Sequence, residues 1–375
     1  MRQSPACLFL RQPLRASSIT TVTYRVINPI KHQEHCTSTI LPKPPFKMST
    51  TQQQQPQQPL PSLPEITRLT SSCIRILAGN PGPFTLQGTN TYLLGTGPSR
   101  ILIDTGESKP SWAAALRCVL AEEGEGTTVS IALLTHWHRD HTDGVRDLLS
   151  VCPGARVLKH QGGKGDVQVE ELQDGQRFEV AGASVTAVHT PGHTADHTVF
   201  VWEEEGALFT GDNVLGHGTS VFEDLGLYVG SLERMGKLYD RDRGGKAYPG
   251  HGAVVPDGPG KIAEYIRHRA QREEQVVQAL RSFASLFGSS SPASAAGIET
   301  GSEPAKDDRT SGDAWTVMEL VRTIYRDVPE SLHPAAARGV VQILQKLQRE
   351  GKVVDVDDGE RWKLASTVGS GRSAL

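Results

Sequence analysis

Between Thr135 and His141 the chain sets three imidazoles and one carboxylate, His136, His138, Asp140 and His141, in the spacing His-x-His-x-Asp-His. The apolar run Ile131–Leu134 precedes them directly. A buried strand that ends in so many polar groups is costly unless something binds them. Neutral imidazole and carboxylate are ligand types that suit zinc. Taken alone, the segment would also fit a His-rich surface turn. Three further segments narrow the choice: His189 to His193 around Pro191 and Gly192, Phe209 to Asp212, and Tyr248 to His251 around Pro249 and Gly250. Each follows a short apolar strand candidate, at Val185–Val188, Ala207–Phe209 and Ala247–Tyr248. Upstream, Ile101–Ile103 leads into Asp104 in the same way. Five strand ends that each deliver a ligand-type side chain point to one shared site at one edge of a pair of sheets. Cys7, Cys36, Cys73, Cys118 and Cys152 all lie outside these motifs, so the ligands are nitrogen and oxygen.

The elements that must position these groups follow from periodicity and turn residues. Ile74–Leu77 and Thr91–Leu94 read as early strands around the turn Gly79–Pro83. Helices are expected at Trp112–Glu122, after Asp104, and at Gly144–Val151, just behind the His cluster. Strands and helices then alternate to about Pro249. Ile262, Tyr265, Ile266, Val276, Val277 and Leu280 have helical spacing, which predicts a long amphipathic helix over Gly260–Phe287. Helices at Val317–Tyr325 and Pro334–Glu350 and a hairpin, Lys352–Val356 with Arg361–Leu364, make a small winged-helix-like C-terminal unit. Gly351 suits a helix C-cap.

With 375 residues the chain can bury a sizeable core in one catalytic domain and a smaller second one. The expected division is a leader over 1–65, a catalytic domain over 66–288, a Ser/Gly/Pro/Asp-rich linker over 289–312 and the C-terminal unit over 313–367. A net charge of −3 gives no overall basic field for nucleic acid or anionic membrane. Basic and acidic residues balance from Trp315 to Leu364, and the hairpin tip at Asp357, Asp358 and Glu360 is acidic, unlike a phosphate-binding wing. No apolar run approaches a membrane span, so no membrane partner is expected. Scattered cysteines in odd number form no disulfide framework and suit a reducing compartment. The first 47 residues are basic and rich in Ser and Thr, with Glu34 as their single acid. Three readings fit them: a mitochondrial transit peptide, a disordered extension, or upstream sequence before a start at Met48. The expected location is cytoplasmic, or the mitochondrial matrix if the leader is an address.

The order of the motifs resembles that of the metallo-β-lactamase superfamily from about Ile74 to about Glu274. The resemblance implies an α/β fold, an αββα sandwich. It also implies that His136, His138 and His193 hold one metal ion, that Asp140, His141 and His251 hold a second, and that Asp212 bridges them. Two Zn2+ ions are the expected cofactors, although relatives with the same ligands accept iron or manganese. Such a pair supplies hydroxide at neutral pH and polarises a carbonyl or phosphoryl oxygen, so no Ser or Cys nucleophile is needed. Asp140 is expected as both ligand and catalytic carboxylate. Asp104 is expected behind the ligands, orienting a histidine. Arg139 and Asp143 read as a local salt bridge or cap. His189 and His197 read as packed strand histidines, with Asp196 and His197 as possible support for the site.

Departures among relatives narrow the class further. The best-known zinc β-lactamases carry Cys at the position of Asp212, and flavin-diiron relatives carry Glu at that of His138. RNA-processing members of the mRNA-cleavage type insert a helical domain that has no counterpart here. Asn80–Tyr92, Gly211–Gly216, Phe222–Leu225 and Tyr265–Arg269 are similar to the lactamase-beta-two-like branch. That branch holds fungal thioesterases that release polyketides from the acyl carrier protein of non-reducing polyketide synthases. It also holds a mitochondrial endoribonuclease. The favoured reading is therefore thioester hydrolysis with an acyl carrier protein as partner; the alternative is cleavage of single-stranded RNA. Asn90 and Asn213 are candidates to hydrogen-bond a thioester oxygen or a phosphate, or are turn residues. His217 is a candidate pocket residue, or a loop histidine.

Overall fold

The computed structural model describes residues 60–162, 167–240, 245–287 and 314–365. The expected leader up to residue 59 and the expected linker at 289–312 lie outside the described residues.

Apolar residues alternate along the strands, and successive side chains of a strand point to opposite faces. β1 (Ile66–Thr70), β2 (Cys73–Leu77), β3 (Asn90–Leu94), β4 (Ser99–Ile103), β5 (Thr128–Leu134), β6 (Arg156–Lys159) and β7 (Glu170–Glu171) form one sheet in chain order. β8 (Arg177–Val180), β9 (Ala183–His189), β10 (Thr198–Trp202), β11 (Ala207–Gly211) and β12 (Ala247–Pro249) form a second. Tyr92, Leu94, Ile101 and Ile103 of the first sheet meet Val185, Phe200, Trp202 and Phe209 of the second in a shared core. Their strand neighbours face outward. Leu93, Leu102 and Leu134 pack under α1 (Pro110–Glu122) and α3 (Val145–Val151). Val188, Val199 and Leu208 pack under α4 (Leu225–Gly236) and α5 (Gly258–Phe287). The result is the αββα sandwich that the motif order implies.

Strand direction decides where the ligands emerge. β4 and β5 are parallel, as are β11 and β12. β9 and β11 are each antiparallel to β10, so they share one direction. The ends of β9, β11 and β12 therefore open on the same side of the second sheet, and those of β4 and β5 on one side of the first. The Thr198 N–H donates to the Thr135 carbonyl at 2.8 Å, and the Asn90 N–H to that of Gly250 at 2.7 Å, which ties the two sheets together at that edge. A single turn, α2 (Arg139–Thr142), carries Asp140 and His141.

α5 runs past the sandwich, and its Val276, Val277 and Leu280 enter the core of the C-terminal unit. That unit comprises α6 (Val317–Ile324), α7 (His333–Arg349) and a three-stranded sheet of β13 (Trp315–Thr316), β15 (Arg361–Leu364) and β14 (Val353–Asp355). Thr316 and Glu319 form a reciprocal capping box at the start of α6. β13 adds a strand to the expected hairpin, and α4 is a helix that the sequence reading did not assign. Among the described residues no helix is long and apolar enough to cross a membrane.

Candidate metal centre

Asp104 stands one residue beyond β4 with φ of 59°, a left-handed conformation that Asp tolerates better than most residues. Its carboxylate accepts the Thr135 backbone N–H at 2.8 Å and the Thr135 hydroxyl at 2.9 Å. It also lies 2.8 Å from His141 Nδ1. Both Asp104 and His141 are buried. This contact fixes Nδ1 as the outward nitrogen of His141 and aims Nε2 at the site.

All seven sequence-predicted ligand positions converge. His136 Nε2 lies 2.9 Å from His138 Nδ1, and His193 Nε2 lies 3.2 Å from the same atom. Asp212 completes this group, with its Oδ2 3.7 Å from His193 Nε2. In the second group, Asp140 Oδ2 lies 3.3 Å from His141 Nε2 and 3.1 Å from His251 Nε2. Asp212 also faces this group, 3.5 Å from His141 Nε2 through Oδ1 and 3.3 Å from His251 Nε2 through Oδ2. One carboxylate therefore stands between two sets of imidazoles.

The charge pattern of the cluster fits a cation. Burial, followed by the field of His141, holds His136 well below the ordinary imidazole range. Burial opposes charge on His141 as well, but Asp104 and Asp212 outweigh it and raise that imidazole well above its usual value. His251 is raised to about 9: burial opposes the shift, and Asp212 and Asp140 drive it. Burial likewise resists ionisation of Asp140, yet His141 and His251 hold its carboxyl well below the usual carboxylate range. His141 Nε2 and Asp212 Oδ1 are buried without a hydrogen-bond partner, which is costly in a low-dielectric interior. Imidazole nitrogens about 3 Å apart cannot all carry protons. Divalent metal would satisfy the lone pairs and the carboxylates together, so the donor set fits.

His197, which the sequence offered as a packed histidine or as support for the site, does support it, and further supporting residues were not singled out from the motifs. His197 Nε2 accepts the Asp212 backbone N–H at 3.1 Å, which fixes the end of β11. The Thr89 hydroxyl lies 3.3 Å from Asp140 Oδ2. His193 Nδ1 faces the Val221 carbonyl at 2.8 Å and the Ser220 hydroxyl at 3.3 Å. For Thr89 the available signal was its place in the Asn80–Tyr92 segment beside Asn90; nothing in sequence marks the contribution of residues 220 and 221.

Asn90 and Asn213 differ from the substrate-contact expectation. The Asn90 amide donates to the carbonyls of Pro249 and Gly252, both at 2.9 Å, and the Asn213 amide to that of Thr190 at 2.9 Å. Both side chains are buried and brace the loops that carry His251 and Asp212. His217 is exposed on the loop after Asp212. Arg139 is exposed and pairs with Asp143 at 2.9 Å. His189 turns away from the cluster toward the Ala195 carbonyl, and Lys159 pairs with the buried Asp196 at 2.6 Å.

Residues 84–260 match the family model described as the metallo-beta-lactamase superfamily, and residues 316–362 match that of the beta-lactamase associated winged helix domain. The chain is 44% identical to the lactamase-like protein aptB of Emericella nidulans, over 77% of this chain and 84% of that protein. The chain belongs to the metallo-β-lactamase superfamily. This metallo-β-lactamase-superfamily hydrolase is also 42% identical to a protein of Aspergillus chevalieri named atrochrysone carboxyl ACP thioesterase, over 80% of this chain and 88% of that one. The beta-lactamase domain protein from Burkholderia ambifaria shares the fold, with a TM-score of 0.61 at 19% identity, over 81% of this chain and 95% of that one.

Proposed function

We propose that this superfamily member is a dinuclear zinc thioesterase that releases a polyketide acid from the acyl carrier protein of a polyketide synthase. The observation that carries the reading is the similarity to the Aspergillus chevalieri thioesterase, which extends over most of both chains. The convergent His/Asp cluster supports it, because it supplies the ligands that such hydrolysis needs. His136, His138 and His193 would hold one ion, Asp140, His141 and His251 the other, and Asp212 both. When bound, such a pair activates water at neutral pH and stabilises negative charge on a carbonyl oxygen.

The protein's own residues do the rest. Asp104 orients His141, His197 anchors the Asp212 backbone, and the Val221 carbonyl orients His193. Asp140 serves as an anionic ligand, with the Thr89 hydroxyl beside it. Water adds to the thioester carbonyl, the C–S bond breaks, and the acid and the carrier thiol leave. The product's protons come from that water.

A paired turnover assay on one metal-loaded preparation tests the reading. It compares an acyl-carrier-protein thioester with a single-stranded RNA, each with and without chelator. Chelator-sensitive thioester release with inert RNA is expected, together with loss of turnover in Asp212→Ala. RNA cleavage with an intact thioester, or full turnover in Asp212→Ala, would overturn it.

A further inference from the structure

A second concave site borders the segment that supports His193, at Phe222. α5 presents His268, Arg269 and Arg272 to a cavity of about 180 Å³. Its other walls are apolar or aromatic: Phe222 and Leu225 at the entry to α4, and Tyr325 and Ile343 from the C-terminal unit. The guanidinium of Arg269 lies 4.7 Å from the Phe222 ring centre, and that of Arg272 4.9 Å from the Tyr325 ring centre. Among the described residues no acidic side chain lines the cavity. The acids close by have other cations: Asp224 pairs with Arg349 at 2.6 Å, Glu264 with Lys261 at 2.9 Å and Glu273 with Lys346 at 2.7 Å. Arg269 Nε and His268 Nδ1 are buried without a hydrogen-bond partner.

An unpartnered guanidinium N–H beside a partly desolvated cavity that two arginines make positive calls for an anionic acceptor. Planar guanidiniums suit phosphate and carboxylate, and two of them together match the several oxygens of phosphate better than a planar carboxylate. Burial and both arginines lower the proton affinity of His268, which stands beside them as a neutral imidazole. Pockets for drug-sized ligands run to roughly 300–1,000 Å³. This cavity is smaller, so it fits a charged group and not a polyketide chain. It is also coupled to the metal centre. Arg269 Nη2 donates to the Ser220 carbonyl at 2.6 Å, and Ser220 and Val221 face His193 Nδ1.

We propose that this cavity is a phosphate subsite that receives the phosphodiester of the arm on which a carrier protein bears its acyl thioester. The assignment of the source rests on the thioesterase reading; the anion chemistry does not. A free phosphate ester has the same chemistry, and the experiment separates the two.

Full-length, metal-loaded protein is compared with Arg272→Gln, which touches no residue of the His/Asp cluster. Two thioesters of the same acyl group are used, one on 4′-phosphopantetheine and one on pantetheine. The native protein should show a KM roughly tenfold lower for the phosphorylated thioester, as one charge-assisted contact would give. Arg272→Gln should lose that preference while turnover of the pantetheine thioester stays unchanged, and Arg272→Lys should retain part of it. Equal KM values on the native protein, or a preference that survives in Arg272→Gln, would overturn the proposal; survival would place the phosphate at the metals. Calorimetric titration decides the site even if neither thioester is hydrolysed, an outcome that sinks the thioesterase reading alone. Arg272-dependent binding of 4′-phosphopantetheine over pantetheine supports the subsite, and equal binding overturns it. Inorganic phosphate that binds as tightly as 4′-phosphopantetheine overturns the carrier-arm source.

Discussion

Asp104 Oδ2 lies 2.8 Å from His141 Nδ1, and the same carboxylate accepts both the backbone N–H and the hydroxyl of Thr135. One side chain thus fixes a ligand's ring and the turn that begins the His motif. Asp104→Asn keeps the size and tolerates the left-handed backbone, but it removes the charge and one acceptor. Partners behind metal ligands are worth about 10–100-fold in metal affinity or activity. Metal content after dialysis should fall by that order while the far-ultraviolet circular dichroism stays native. Unchanged metal retention would show that Asp104 serves only the turn.

Gly250 immediately precedes His251, and its reason for being Gly is spatial. A Cβ there would fall well inside contact distance of Asp212 Oδ1 and 2.9 Å from His141 Cε1. Gly250→Ala therefore drives a methyl group into the middle of the cluster. Overpacking of this kind costs about 1–3 kcal/mol, and here the atoms that must yield are ligands. Turnover should be lost and metal affinity should fall with only a moderate drop in melting temperature. An active variant with native metal content would mean that the carboxylate of Asp212 is free to move.

The site was largely legible because each ligand follows an apolar run, and a strand that ends at a polar residue places it at a sheet edge. The α4 helix was not. Gly226, Gly230 and Gly236 each lower helix propensity by about 1 kcal/mol relative to Ala, so local preference argues against it. Burial of Leu225, Tyr228, Leu232 and Met235 on one face overrides that preference. β13 has two residues, too short for any periodicity, and exists because Trp315 pairs with Trp362. The sequence left Asn90 and Asn213 open between substrate contact and turn residue for a related reason: an amide near a metal motif can face the ligand or the loop, and the structure places both amide nitrogens on loop carbonyls.

Trp137 sits between two ligands yet is 52% exposed, and its ring centre lies 4.5 Å from that of His138. A large indole left in solvent beside an active centre suits contact with an apolar acyl group. Under the thioesterase reading, Trp137→Ala should raise KM for an aromatic acyl thioester by roughly tenfold, equivalent to about 1.4 kcal/mol, with kcat nearly unchanged. The same KM for aromatic and short aliphatic thioesters in both proteins would sink this role.

Asp224 ties the sandwich to the C-terminal unit. It accepts the Leu227 N–H at 2.9 Å as the N-cap of α4, and it receives both Arg349 Nη1 at 2.6 Å and Nη2 at 3.0 Å from α7. The Arg349 hydrogen bonds, opposed by burial and aided by the Leu227 N–H, hold its carboxyl below the ordinary value of 3.8. A carboxylate held low in the folded state and ordinary in the unfolded state stabilises the fold fully above its unfolded pKa. That contribution fades as pH falls through the lowered folded value. Asp224→Ala should therefore cost about 1 kcal/mol for the cap near neutral pH, plus a smaller amount for the partly exposed ion pair. The gap in melting temperature between native protein and variant should hold from about pH 7 to about pH 5 and narrow below about pH 4. A gap that stays constant down to about pH 3 would mean that the carboxylate's charge contributes nothing to the junction.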